Sequence, residues 1–562
     1  MTSVRRRLSL LAAAAGGALL LVPGQAAATT LTTNPTGNAY TEYHVVLPNG
    51  ESGEPTIGWT PAQHAAMYGA GVGISRLTWD DGKPGSPMTA TDVTPTVGTL
   101  NTLDTIVTVD ANISRTFFAE LEAVGSTLWY SDDAGASWTE STGVSAGVLL
   151  DHESVGAGPF SGTAIPHPLA TDAVYYCAQN SFSAACGTSY DGGLTFGPGS
   201  PTQNTPANDP NDPNPTFAAE GGACSALHGH MKVASDGTAY LPFKGCGGAA
   251  TAANLTNTEY EGGMPSVSVS TDNGQTWNIR MDPFGSNTDE SDNAVSVGSR
   301  NTVYMTWEDG KNISDAESAH TTAAKVSIST DQGRTWLNTA NLNPPGVNNV
   351  MFPVVAAGDD DRAAVAFLGT AGVGDDQQNG FIGSWDLYVS TTYDGGKTWS
   401  TVDATQGDPV HRGCIDNQGI APGSPKNNVC NNRNMLDFND ITVDAAGRVL
   451  VAYTKTCTSP KCISAAPNSD TADQSDDVQN YVLRQTAGKG LLAASDGTIS
   501  QVAAATTTTS QTSTSTSSRP AAIGLPNTAV ASPAGIAAGG AALAFIGAIR
   551  VTRRRRRDDA PR

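Results

Sequence analysis

The chain has 562 residues, with 53 acidic against 31 basic side chains and a formal net charge of −22. That length supports a large core or several domains, and so acidic a field repels nucleic acid and anionic surfaces. Cations such as calcium, or neutral and basic partners, fit it better, and nucleic acid is excluded as a partner.

In chain order, Arg5-Arg6-Arg7, an apolar run from Leu8 to Val22 and the small residues Ala26-Ala27-Ala28 predict a secretory leader over 1–28. The run is shorter than the roughly 20 residues a membrane span needs. Residues 29–49 read as a lead-in. From about 50 to 490, turn signals alternate with short apolar runs, and no long helical period interrupts them.

Five copies of one pattern punctuate this stretch. They run Ser131-x-Asp133-x-Gly135-x-Ser137-Trp138, then Ser189-x-Asp191-x-Gly193-x-Thr195-Phe196, then Ser270-x-Asp272-x-Gly274-x-Thr276-Trp277. Ser329-x-Asp331-x-Gly333-x-Thr335-Trp336 and Thr392-x-Asp394-x-Gly396-x-Thr398-Trp399 complete the set. The copies start 58, 81, 59 and 63 residues apart, a blade-sized period. Each reads as a hairpin turn. The Asp accepts backbone N–H groups one or two residues on, Gly closes the turn with positive φ, and the final aromatic packs between sheets.

A second series of strands extends the count to seven: Ala65–Tyr68, Thr116–Phe118, Ala173–Tyr176, Thr238–Leu241, Thr302–Met305, Ala363–Phe367 and Arg448–Tyr453. The first and last units have a third strand without the turn pattern, near Ile74–Trp79 and Tyr481–Arg484. Radially repeated four-stranded antiparallel sheets predict an all-β propeller of seven blades, with six as the alternative.

All eight cysteines lie in this exported part. Their near-neighbour spacing pairs Cys177 with Cys186, Cys224 with Cys246, Cys414 with Cys430 and Cys457 with Cys462, as expected of an oxidising compartment.

Beyond the ring, 491–524 is a Ser/Thr-rich stalk. Residues 525–562 begin Leu525-Pro526-Asn527-Thr528-Ala529, continue through an uncharged stretch to Ile549 and end in Arg553 to Arg557. This layout resembles a cell-wall sorting signal, with Ala529 where that motif has Gly. Either a sortase partner or a plain transmembrane helix holds the chain at the cell surface by its C-terminus. Three basic residues belong to the leader and seven to the tail, which leaves the exported part 21 basic against 51 acidic residues.

The five turns resemble the Asp-boxes, or bacterial neuraminidase repeats, of the sialidase (neuraminidase) superfamily. That resemblance implies structural roles for Asp133, Asp191, Asp272, Asp331 and Asp394, on the face opposite an active site. It also implies a glycan substrate, with three arginines for a sialic-acid carboxylate, a Tyr–Glu nucleophile pair and an Asp acid/base. The family's Arg-Ile-Pro motif does not occur here; Ile165-Pro166 follows Ala164.

Polar residues precede the expected innermost strands: Glu54, Asp104, His152-Glu153, His228 and His230, Asp292-Asn293, Asn348-Asn349 and Asp437 to Asp440. Asp440, Glu153 and Asp292 are the catalytic candidates, because paired carboxylates support acid/base work. His152, His228, His230, Arg76 and Arg362 are the substrate-binding candidates. The histidine pair suits a sugar or a metal, against a bland reading as ordinary loop residues. Asp359 to Asp361 and Asp375-Asp376 suit calcium, or are solvated turns. Trp59, Trp79, Trp307 and Trp385 serve either sugar stacking or packing between blades. Two function classes remain open: a monomeric surface glycoside hydrolase of the exo-α-sialidase kind, or a non-catalytic propeller that binds glycans or surface proteins.

Overall fold

The computed structural model describes residues 36–499, apart from 48–49, 84, 97–103, 123–124, 145–150, 163–168, 181–182, 203–223, 225–226, 247–262, 282–285, 287, 290, 311–319, 417–429, 431–432 and 467–477. The expected leader and C-terminal anchor lie outside these residues, as does the expected stalk beyond 499. The first part of that stalk is corrected: Leu491 and Ile499 are buried and Asp496 is clamped by Arg362, so 491–499 pack on the propeller. Among the described residues, no helix is long and apolar enough to cross a membrane.

Seven antiparallel sheets form the blades of a propeller. Blade 1 spans residues 56–92, blade 2 105–140, blade 3 151–201, blade 4 232–281, blade 5 294–341 and blade 6 349–403. Blade 7 combines strands from both ends of the ring. Asp440–Val443, Val449–Lys455 and Gln479–Ala487 are joined by Ala39–His44 as the outermost strand. Residues 29–49 were expected to stand outside the propeller, yet six of them close it. The strand pays for its ordering with a full antiparallel ladder, from Ala39 against Ala487 to His44 against Tyr481.

The core lies between blades, which explains the continuous apolar runs of the second strands. Successive side chains of a strand point to opposite faces, and here both faces are covered. Phe117 packs with Val155 and Tyr176 of blade 3, while Phe118 packs with Met67 and Ile74 of blade 1. Tyr175 meets Trp277 of blade 4 edge-on at 6.2 Å, and Tyr176 turns back to blade 2. Each such aromatic contributes about 1.5–3 kcal/mol of burial. Trp307 and Trp385 are fully buried, and Trp59 is 7% exposed. Packing between blades is therefore their role.

The four local disulfides are present as paired above, and Cys177 and Cys186 sit directly opposite on adjacent strands of blade 3. No free cysteine occurs among the described residues. Such bonds belong to a chain that folds in an oxidising, extracellular-type compartment.

The repeat turns join third to fourth strands, so all five lie on the face where the innermost strands end. Their chemistry differs from the expectation in register. Asp133 Oδ1 accepts from Ser137 N at 2.8 Å and Oδ2 from the Ser137 hydroxyl at 2.7 Å, four residues on. The Ser131 hydroxyl donates to the same carboxylate at 2.8 Å and accepts from Gly135 N at 2.8 Å. Asp191, Asp272, Asp331 and Asp394 repeat this pattern. A span of four residues lets one carboxylate tie both ends of the turn. The turn glycine has positive φ and also abuts the preceding blade: a Cβ at Gly193 would stand 2.5 Å from the Phe117 ring.

Candidate functional site

Innermost strands begin on the face opposite the repeat turns, around the mouth of the channel. Backbone irregularity occurs there. Glu54, His152, Phe352 and Leu436 all have φ between 51° and 57° without being glycine. Ladder register slips between Asp151 and Ser154 in blade 3 and between Met351 and Val354 in blade 6. Bulges re-aim side chains, and left-handed backbone at non-glycine residues is costly unless its surroundings enforce it. Close approach supplies that enforcement. A Cβ at Gly53 would fall 2.3 Å from Met435 O, and one at Gly229 2.1 Å from Asn293 O. Only glycine lets the approach segments of neighbouring blades touch this closely.

These segments bring together residues far apart in the chain. His152 Nδ1 faces Asp292 Oδ2 at 3.4 Å, and its Nε2 faces Asp437 Oδ2 at 3.6 Å. One imidazole from blade 3 therefore stands between carboxylates that lead into blades 5 and 7. Arg433 clamps Asp437 with two hydrogen bonds of 2.6 and 2.8 Å. His230 Nδ1 lies 3.6 Å from Asp440 Oδ1, and its ring meets Phe438 edge-on at 4.5 Å. His230, Asp292, Phe352, Pro353, Asp437 and Phe438 line part of one cleft.

The environments push these carboxylates apart. Burial raises the Asp292 carboxyl above the ordinary range, against the opposing pull of His152 and Lys244. Burial acts on Asp437 too, but the nearby His152 and the Arg433 charge and hydrogen bonds outweigh it and hold this carboxyl well below the usual range. Asp440 is also held low: burial opposes, and the His230 hydrogen bond and Lys232 prevail. Glu54 is driven well above its usual value by burial, then by Asp437 and Asp104.

The sequence candidates divide by location. Asp292, His152, His230 and Asp440 meet at the mouth. Asp440 has a structural duty there, accepting from Ile57 N of blade 1 through Oδ2 and from its own Ile441 N through Oδ1, each at 2.9 Å. Glu153 is buried at 3% exposure. His228 lies beneath the cleft against Phe243, and burial, with His152, lowers it to about 3. His228 and His230 do not share a regular strand face, because His228 forms an isolated bridge to Phe243 before the strand Lys232–Val233 begins.

Arg76 and Arg362 stand away from the mouth. Arg76 Nη1 donates to Ala134 O in the first repeat turn at 3.5 Å. Arg362 follows the innermost strand of blade 6 on the repeat-turn face, where it clamps Asp496 at 2.7 and 2.8 Å and donates to Gly490 O. A role for either in holding substrate at the mouth is corrected by these contacts. Asp359 and Asp360 lie on the same far face, where they accept from Ala493 N and Arg300 N.

Sequence reasoning did not single out Phe438 or Phe352, nor the Asp289, Glu308 and His320 that join Asp376, one of the calcium candidates, in a second buried acidic group beside the mouth. That group comprises Asp289, Glu308 and Asp376 with His320, whose Nε2 lies 3.0 Å from Asp289 Oδ2. Burial and then Asp289 raise Glu308 to about 8, while the Asp289 hydrogen bond raises His320 to about 9. Phe438 had a signal, an aromatic among Asp and Asn residues just before a predicted strand.

No known family model matches the chain, and no curated protein matches it. Solved structures do. A protein of unknown function from Dyadobacter fermentans is 9% identical, with 79% of this chain aligned to 98% of that one at a TM-score of 0.36. The Trypanosoma rangeli sialidase is 12% identical, with 70% of this chain aligned to 56% of that one at 0.32. The GH74 xyloglucanase from Xanthomonas campestris is 14% identical, with 78% of this chain aligned to 55% of that one at 0.39. The chain spans a little over half the length of the last two, and likenesses at these scores carry no argument about activity.

Proposed function

We propose that this protein is a glycan-acting propeller displayed at the cell surface by its C-terminus, and that the channel mouth is a glycoside-hydrolase site. The observation that carries this reading is the pair Asp292 and Asp437 on either side of the His152 ring, with carboxyl affinities for protons pushed in opposite directions. Glycoside hydrolysis needs one carboxyl that keeps its proton and one that has lost it. In this reading Asp292 protonates the leaving oxygen and Asp437, oriented by Arg433, activates water. Phe438 offers a face for a sugar ring, and His230 and Asn439 line the same cleft.

Sialosides are not the favoured substrate. Carboxylate recognition calls for unengaged guanidinium forks, and Arg433, the arginine brought to the mouth among the described residues, is already paired with Asp437. The test is turnover of a panel of neutral, amino and sialylated glycosides by wild type, Asp292→Asn and Asp437→Asn. Turnover of a non-sialylated substrate, lost in both variants, supports the reading. Turnover unchanged in both variants sinks it.

A binding-only propeller is favoured by one observation, that both Asp440 oxygens already serve backbone N–H groups. Glycan-array binding without turnover, weakened by Phe438→Ala, would establish that alternative.

A further inference from the structure

Radially outward from the mouth, between blades 5 and 6, the structure buries more negative charge than it compensates. Glu308 lies near the end of the second strand of blade 5 and is fully buried, and Asp376 in the loop after the second strand of blade 6 is 1% exposed. Asp289 is 3% exposed and adjoins both, since its N–H bonds Glu308 O at 3.0 Å and its charge acts on Asp376 together with that of Glu308. His320 answers Asp289, and Lys325 is taken by Asp309 at 2.6 Å. Two carboxylates are left without a counter-charge among the described residues.

An independent observation points the same way. Glu308 Oε1 and Asp376 Oδ2 are both buried with no hydrogen-bond partner. A buried carboxylate oxygen without a donor costs several kcal/mol unless a proton or a cation reaches it. The other Glu308 oxygen is occupied, accepting from Ser291 N at 2.9 Å and from the Ser291 hydroxyl at 2.5 Å.

We propose that Asp289, Glu308 and Asp376 bind a divalent hard cation, calcium, at the junction of blades 5 and 6. Oxygen-only donors favour a hard ion over zinc or copper, and two uncompensated charges match its valence. Among the described residues, no three such side chains already stand in metal-coordinating geometry. The ion therefore has to draw the unpartnered Glu308 and Asp376 oxygens onto itself.

The scaffold around Asp376 suits that task. Asp376 O accepts from Ile415 N at 3.1 Å and Gln377 O from Cys430 N at 2.8 Å. The Cys414–Cys430 disulfide thus straps the loop from both sides. On the other flank, the Ser291 hydroxyl links Glu308 to Phe352 N at 2.9 Å. A bound ion would steady the segment carrying Asp292 and the bulge carrying Phe352. The site is distinct from the cleft and does not depend on the activity proposed for it.

The experiment uses purified protein, calcium chloride and terbium chloride. Calcium should raise Tm by a few degrees, reversed by chelator, and terbium should show tryptophan-sensitised luminescence that calcium quenches. Glu308→Gln and Asp376→Asn should each abolish both signals, while Asp437→Asn keeps them. The amide variants are isosteric and remove buried charge, and circular dichroism confirms their fold. Absence of both signals in wild type, their persistence in both amide variants, or their loss in Asp437→Asn would each overturn the proposal.

Discussion

In the five repeat turns, the Asp of each pattern meets its partners within one turn of its own chain; at the mouth, each charge depends on residues from other blades. Asp331 finds Ser329 two residues back and Thr335 four residues on. Asp437 finds Arg433 nearby but His152 only across the ring. The repeat turns stay open to water and leave no carboxylate short of donors. The mouth and its neighbouring acidic group hold buried carboxylates at raised proton affinity. One face is arranged for stability, and the other keeps unbalanced charge, as functional sites do.

The largest effect separates the faces by function. Asp437→Asn or Asp292→Asn should lower turnover of a responsive glycan by about 10²–10⁴-fold, whereas Asp331→Ala should leave turnover intact. If Asp331→Ala reduced turnover as strongly, the division of labour would fail. Next comes stability. Asp331→Ala should cost about 1–3 kcal/mol, the range for hydrogen bonds to a charged group, read from urea midpoints. Gly193→Ala should cost a similar amount, because a methyl there meets Phe117 and the residue has φ of 93°.

Two buried groups on the flank of blade 6 should respond to pH with opposite signs. Burial, then Asp403, raises Asp386 to about 8. The native state keeps this proton while the unfolded chain releases it near pH 4, so its contribution is full below that and fades as pH rises towards 8. Asp386→Asn should therefore gain on wild type between pH 5 and 8. His411 is lowered to about 4 by burial, with Thr456 and Cys414 O on its two nitrogens at 2.6 and 2.9 Å. Its contribution is present above about pH 6.5 and is lost as pH falls towards 4. His411→Gln should flatten that acid limb, and parallel urea-midpoint profiles for wild type and variant would contradict the assignment. The smallest effect belongs to the exposed Arg115–Asp132 pair on the repeat-turn face, where Asp132 is 58% exposed. Asp132→Asn should change stability by under about 1 kcal/mol, and less at high salt.

Much of the scaffold was legible because it is local. The five turns, the second strands and the four cysteine pairs each involve residues close in the chain, so spacing alone predicts them. Even there, the Asp register was missed by two residues, because a turn closed at four residues differs in sequence from one closed at two only by the hydroxyl at its far end. Closure of the ring by Ala39–His44 left little sign, since a single short strand does not repeat.

The mouth is the reverse case. Glu54, Asp292 and Asp440 could be picked as polar residues before strands, and the repeat period placed them on one face. Which of them meet was beyond reach. His152 lies between Asp292 and Asp437 because a bulge and a left-handed residue turn it there, and neither leaves a mark in a non-glycine sequence. Arg76 and Arg362 looked available for the same reason: sequence records that an arginine exists, while its partner is set by which blade end it occupies. The residues alone determined a disulfide-stapled propeller ring, of seven blades in preference to six, with five self-sufficient turns, because those interactions close within a few residues of chain. Only the tertiary structure decided the chemistry of the mouth and of the Asp289, Glu308 and Asp376 group, because burial and charges from distant blades set their proton affinities.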